Sequence, residues 1–467
     1  MERVKDWFQE REEEFLRDLE NLVRYPSVSQ KGEGGYPYGE ACRNVLREAL
    51  ACAERFGLTV RNFQDHCGTA RVLGRTEHTI GLFAHLDVVP AGEGWSYEPY
   101  EMTVKNGMLY GRGCADDKGP AMMALYALRY LAESGRQLRH SLCLFLGCDE
   151  ETGMEDVEYY LKREENPPAF SLVADGSFSV CVGEKGHVVF KASRPLSSPA
   201  LLSFSAGLVP NSVPATAEAV LRLPAEAVER ALGSAGVPFQ AFPGDEDGTA
   251  RVVVRGRAAH AAFPEGSLHA QKQMARLLCA SGLLDPEAEQ ALQGVAAFLA
   301  DDYGTGMGIG YETPEFGRLT MVSGVTRLEK GRLAMTFDVR SPMGFQEERA
   351  KEKAARRLGA YGFALESWSY SPGYYRDPGS PAIQAMKGIA ERVWSRELPL
   401  YVMGGGTYAR KIPHAVPFGP GLPRSPEEAD SGKGRAHQPD EGIRLEVLQK
   451  GMEIYVEALL ALDGILD

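Results

Sequence analysis

Two short runs, Thr79–His85 (TIGLFAH) and Ser141–Gly147 (SLCLFLG), are almost wholly apolar and are separated by a helical pattern, an arrangement that restricts the fold more than any other feature. A strand with one face in water alternates apolar and polar residues. A continuous apolar run instead predicts a strand buried on both faces, as in a parallel sheet covered by helices. Between the runs, Gly119-Pro120 opens a helix on which Met122, Leu125, Leu128 and Leu131 recur about one turn apart. Proline suits that first turn, where its missing N–H would have no intrahelical partner. The alternation predicts an α/β domain with a mostly parallel sheet.

At 467 residues the chain exceeds what one core usually organises, so two domains are expected. From about His187 the texture changes: runs such as Ala250–Val254 and Leu333–Val339 alternate with amphipathic helices near 266–282 and 345–360. Leu328-Glu329-Lys330-Gly331, between Arg318–Arg327 and Arg332–Arg340, predicts a hairpin with Gly at the turn. Residues 186–380 therefore read as an α+β domain inserted into a first domain built from 1–185 and 381–467. The first domain closes with a helix over 443–462 that carries Leu445, Leu448, Met452, Tyr455 and Leu459. The stretch 413–440, dense in Pro, Gly and charge, reads as a functional or mobile loop.

Composition excludes several classes of function. A net charge of -13 argues against nucleic acid or an anionic membrane as partner, since either needs clustered Lys and Arg. No stretch approaches the ~20 apolar residues of a membrane span, and Met1–Asp18 reads as an amphipathic helix and not as a secretory signal. The eight cysteines form no C-x-x-C pair, so reduced thiols and a cytoplasmic location are expected.

Four segments place acids or a histidine just beyond predicted strands or at a helix entrance, where open α/β sheets bind their ligands. In His85-Leu86-Asp87, residues two apart share a face, so His85 could ligate a metal while Asp87 orients its ring; taken alone, such a histidine is more often a satisfied core residue. In Gly111-Arg112-Gly113-Cys114-Ala115-Asp116-Asp117-Lys118-Gly119, the paired acids suit a helix N-cap as well as they suit a ligand. Cys114 reads as a packed thiol before it reads as a metal neighbour. In Cys148-Asp149-Glu150-Glu151-Thr152-Gly153, one carboxylate could bind metal while its neighbour serves as general base, or the run could be a solvated turn. Asp175, in Val173-Ala174-Asp175-Gly176, and the distant His437 say little separately.

Together, two histidines and three carboxylates make an N/O donor set suited to Zn²⁺, Mn²⁺ or Co²⁺. A carboxylate shared by two metals holds them ~3.5–4 Å apart, the spacing of two-metal aminopeptidases. The Gly404–Gly406 run lacks the Lys-Ser/Thr of a P-loop and is not a phosphate cradle. His66, His78, His140, His187 and His414 show no partner pattern and are expected to be structural or exposed.

The order H-x-D, G-R-G-x-x-D-D-K-G, D-E-E, strand-end Asp and late His resembles the M20 metallopeptidase family, and within it the dipeptidase branch that includes the carnosinases and the bacterial PepV type. The resemblance spans nearly the whole chain, and residues 186–380 match the family's lid domain in place and length. It implies two divalent cations, Zn²⁺ foremost with Mn²⁺ or Co²⁺ as alternatives. Asp116 would bridge them, His85 and Asp175 would complete one site, and Glu151 and His437 the other. Glu150 would be the general base, Asp87 would orient His85, and the Asp116-Asp117 peptide bond would be cis. On the lid, His260 would stabilise the oxyanion and Asn211 would contact substrate. Arg340, with Gly405, Gly406 and Thr407, would grip the substrate's C-terminal carboxylate. One departure is Gly266-Ser267-Leu268-His269-Ala270, where relatives often have G-x-N-A.

The activity so implied is hydrolysis of dipeptides with a free C-terminus, with N-acyl amino acid deacylation or deacetylation as the alternative. A metal-binding module without catalysis is a third reading, disfavoured by the intact base and ligands. A small dipeptide is the expected partner, and either a monomer or a homodimer is compatible with the pattern.

Overall fold

A computed structural model of the chain describes residues 3–233, 236–422 and 433–466. It divides into two compact units, one of Met1–Gly183, Arg376–Tyr401 and Gly406–Asp467, the other of Glu184–Tyr375 and Val402–Gly405. The short segment Val402–Gly405, assigned to the first domain by the sequence pattern, thus belongs to the second unit, Gly405 included.

The first unit is built on a six-stranded sheet in the order Thr59–Asn62, Gly68–Val72, Ser141–Gly147, Thr79–His85, Phe170–Val173, Ala415–Pro417. The two apolar runs form the predicted strands with the predicted limits, and every residue of Thr79–His85 is buried. Their pairing and the next two are parallel, whereas the first two strands join antiparallel, so the sheet is mixed at one edge. Helix Lys118–Glu133 forms the crossover between the two central strands and packs on both, with the long helix Leu445–Ile465 against it. The N-terminal helix is split at Arg11, whose backbone leaves helical geometry. The region 413–440 is not all loop: Ala415–Pro417 is the sheet's edge strand, paired with Ser171–Val173. Residues 423–432 of that region lie outside the described residues. Among the described residues no helix is long and apolar enough to cross a membrane.

The second unit carries an eight-stranded antiparallel sheet, in the order Gln240–Pro243, Ala250–Arg255, Thr216–Leu221, Leu201–Ala206, Thr320–Glu329, Arg332–Ser341, Gly186–Pro195, Ala364–Ser371. Its central hairpin turns on Lys330-Gly331, both at positive φ, while Leu328 and Glu329 stay in the strand and pair with Leu333 and Arg332. The strand period of two sorts these residues between faces. Val188, Phe190, Met335, Phe337 and Val339 point into a core completed by Met274, Leu277, Leu292, Phe298 and Leu358 of three helices. The helix Pro286–Phe298, which buries Ala288, Ala291, Leu292, Gly294, Val295 and Phe298, has no counterpart in the sequence reading. Asp285 caps it by accepting the Ala288 N–H, with proline at the first turn. Phe337 stacks on Phe190 at 4.5 Å between centroids and meets Phe298 edge-on. Phe337→Ala is expected to destabilise this unit by about 3–5 kcal/mol, read as a lower midpoint in denaturant unfolding. A loss below about 1 kcal/mol would mean that the core closes over the gap.

Candidate metal centre

Register explains how distant residues meet. In the first unit His85 pairs with Gly147, and Phe83 with Val173, all in parallel. Two of the strand ends are therefore level and the third falls two residues short, so His85 and the residues that follow, with 148–151 and 174–175, emerge along one sheet edge. Helix Lys118–Glu133 must begin at that same edge to cross back, which delivers Asp116 at its entrance. Asp117 occupies the N-cap position, but its side chain does not cap; it accepts the His85 backbone N–H at 3.1 Å. The Asp116-Asp117 peptide bond is cis. His437 arrives by another route. Gly442–Arg444 pairs with Met108–Tyr110, which sets Glu441 beside Gly111 and returns the preceding turn to the edge.

The outcome is two overlapping triads. His85, Asp116 and Asp175 offer ligand atoms all within 4.8 Å of one another, and so do Asp116, Glu151 and His437. Asp116 is common to both. Its Oδ1 lies 3.0 Å from His85 Nε2, and its Oδ2 lies 3.0 Å from His437 Nε2. The His437 Nε2 is also 3.0 Å from Glu151 Oε1. On the other side of its ring, His85 Nδ1 donates to the Asp87 backbone carbonyl at 3.0 Å and has Asp87 Oδ1 at 3.4 Å. The Asp87 carboxylate also accepts the backbone N–H groups of Glu150 and Glu151 at 3.2 and 3.0 Å. One buried acid thus fixes an imidazole and the acidic turn together.

Two further acids, not singled out in the sequence, hold the loops. Asp156 Oδ2 accepts the N–H groups of Cys148 and Asp149 at 2.7 and 3.0 Å and the Tyr408 hydroxyl at 2.5 Å. Any side chain at Gly147 would collide with this cluster, as a Cβ there would sit 2.0 Å from the Tyr408 hydroxyl. Glu441 pairs with buried Arg112 through Oε2, while its Oε1 accepts the N–H groups of Gly113, Ala115 and Asp116 at 2.9, 3.0 and 3.1 Å. Lys118 donates to the Tyr25 carbonyl at 2.7 Å and anchors the helix start. Cys114 is a fully buried thiol.

Electrostatics shows what the edge lacks. Burial and the charge of Asp116 raise the Asp175 carboxyl to about 7. Burial, with Asp175 next, holds Glu150 well above the usual carboxylate range. The His437 side chain is half exposed; the desolvation it does have works against protonation, but Asp116 and Glu151 prevail and lift the ring to about 11. Glu150 Oε1 is buried and has no hydrogen-bond partner among the described residues. This is a converging set of carboxylates short of positive charge, with imidazoles interleaved, and a pair of divalent cations fits it chemically.

The second unit presents its own group. A backbone bridge between Ser212 and His260, with the Ala261 N–H donating to the Asn211 carbonyl at 2.9 Å, sets Asn211 and His260 side by side, both exposed. The Ala262 N–H donates to His260 Nδ1 at 3.2 Å, so a neutral ring carries its proton on Nε2. Arg340 is buried, and its fork is engaged: Nε and Nη2 reach Asp338 at 2.7 and 3.0 Å, and Nη1 reaches the Gly404 carbonyl at 3.1 Å. Each terminal nitrogen keeps one further N–H. His269 is buried, with Nε2 2.7 Å from Asp302 Oδ1. In the first unit, Gly406 lies beside Arg410, and Thr407 accepts the Ala409 N–H at 3.1 Å, which caps a short helical turn.

Fold and site together define an α/β protein with a candidate two-triad metal centre. Residues 81–461 match the model of Peptidase family M20/M25/M40, and the chain belongs to that family. Over 471 residues it is 30% identical to "Putative dipeptidase YtjP" of Bacillus subtilis (strain 168), covering 97% of this chain and 98% of the relative. It is 29% identical to "Putative dipeptidase MW1694" of Staphylococcus aureus (strain MW2), covering 98% and 99%. The crystal structure of human carnosine dipeptidase 1 covers 99% of both chains with a TM-score of 0.60 at 17% identity. That of the dipeptidase Dug1p from Saccharomyces cerevisiae covers 99% of this chain and 98% of its own with a TM-score of 0.59 at 14% identity. At such identities the structures show a shared mixed α/β fold.

Proposed function

We propose that this peptidase is a two-metal dipeptidase acting on small peptides with a free C-terminal carboxylate. The observation that carries the proposal is the sharing of Asp116 between the two triads, one oxygen toward each histidine. His85 and Asp175 would hold one cation and Glu151 and His437 the other. Two cations, Zn²⁺ foremost with Mn²⁺ or Co²⁺ as alternatives, supply when bound a Lewis acid for the scissile carbonyl and a means of acidifying water.

The chain's own groups do the rest. The Nδ1–H of His85, donated to the Asp87 carbonyl, leaves Nε2 as the ligand atom. Glu150 takes a proton from the attacking water and passes it to the leaving amine nitrogen, and its burial keeps it basic enough for the first transfer. His260 donates its Nε2–H to the carbonyl oxygen as charge develops there. Asn211 contacts the substrate. The remaining N–H groups of Arg340, with Gly405, Gly406 and Thr407, hold the C-terminal carboxylate.

Elemental analysis after metal loading should find two equivalents per chain, and chelation should abolish turnover. Free dipeptides should be cut well, their C-terminal amides poorly. Turnover of N-acetyl or N-succinyl amino acids in place of dipeptides would replace this reading by the deacylase one.

A further inference from the structure

In the second unit, the sheet face opposite the hydrophobic core carries a charged line in which Arg340 is joined by two residues without a part in the proposed chemistry, Asp338 and His187. Asp338 and Arg340 lie two apart on one strand, and His187 sits directly opposite Arg340 on the next. Strand geometry therefore puts all three on the same face, away from Val188, Phe337 and Val339. His187 Nε2 is 2.9 Å from Asp338 Oδ2, the oxygen that also accepts Arg340 Nη2 at 3.0 Å. Asp338 is buried, and its carboxyl lies below the usual range; burial opposes ionisation, but His187 and Arg340 together overcome it. The far end of the guanidinium is tied to the Gly404 carbonyl at 3.1 Å.

Asp338 alone could hold Arg340 at more than one tilt, because a carboxylate can rotate and exchange its oxygens. A second donor on Oδ2 removes that freedom. We propose that His187 is a positioning residue for substrate recognition: by fixing Asp338 it fixes the plane of Arg340, and with it the direction of the N–H groups left to meet a C-terminal carboxylate. The inference rests on the dipeptidase reading and deepens it. It concerns orientation, because the Asp338–Arg340 contacts at 2.7 and 3.0 Å do not pass through His187, and the pair is expected to persist when His187 is removed.

The test uses the metal-loaded full chain with one dipeptide as free acid and as C-terminal amide. His187→Ala should raise KM for the free acid by about tenfold, the scale of one charge-assisted hydrogen bond. The kcat for the free acid and the KM for the amide should stay within about twofold, a change too small to count as one lost bond. His187→Gln, whose side-chain amide can donate to the same oxygen, should restore most of the affinity. Circular dichroism and thermal unfolding of both variants report whether the unit is folded. A wild type that does not distinguish acid from amide would overturn the substrate reading and this inference with it. A wild type that does distinguish them, with His187→Ala keeping the full preference, would overturn the inference alone. Equal rises in KM for acid and amide would also overturn it, because the change would then be merely structural.

Discussion

Glu150→Gln is expected to lower kcat by about 10²–10⁴-fold, the usual worth of a positioned general base, while metal content stays at the wild-type level. The substitution is nearly isosteric and removes the ability to accept a proton together with the carboxylate's charge. The backbone of residue 150 would keep its place, because its N–H is held by Asp87 and not by its own side chain. The side chain is buried, with one oxygen unpartnered among the described residues, so no alternative structural duty competes with the catalytic one. Steady-state rates on metal-loaded protein, with elemental analysis of the same sample, measure both halves. A variant within tenfold of wild type, fully loaded, would remove Glu150 from the mechanism.

Asp116→Ala should have the second large effect. Both triads use this carboxylate, so its loss should cost both cations and not one: metal content is expected below one equivalent per chain, and turnover near background. Thermal unfolding provides an independent reading. A ligand at a hundred times its Kd stabilises the folded state by about 2.7 kcal/mol, so wild type should melt higher with added Zn²⁺ or Mn²⁺ and the variant should not. Retention of two equivalents by Asp116→Ala would show that the triads are independent sites and would end the shared-carboxylate argument.

How much of this was legible in the sequence depends on what each residue does. Thr79–His85 and Ser141–Gly147 could be read to their limits because full burial writes itself as a continuous apolar run. The edge strand Ala415–Pro417 could not, since three residues in a Pro- and Gly-rich stretch become a strand only through pairing with Ser171–Val173. The residues grouped as His85, Asp116, Glu151, Asp175 and His437 stood out by type and by position at strand and helix ends, and the fold brings them to one edge. Glu441 and Asp156 did not stand out. They act by accepting backbone N–H groups, and a backbone donor leaves no mark in the residue pattern. Arg340 was legible as a cation, but its engagement with Asp338, two residues earlier, required the strand geometry to be known.

Glu441 and His437 come into place only after the second unit has passed through the sequence, yet they complete the loop that starts at Gly111. During synthesis, an N-terminal portion can form its central strands and the first crossover helix while its acidic edge still lacks one imidazole and the clamp on Asp116. On the proposed reading, a chain ending before His437 and Glu441 would lack one imidazole of the centre and the acceptor that holds the Asp116 N–H, so it is expected to bind less than a full metal pair.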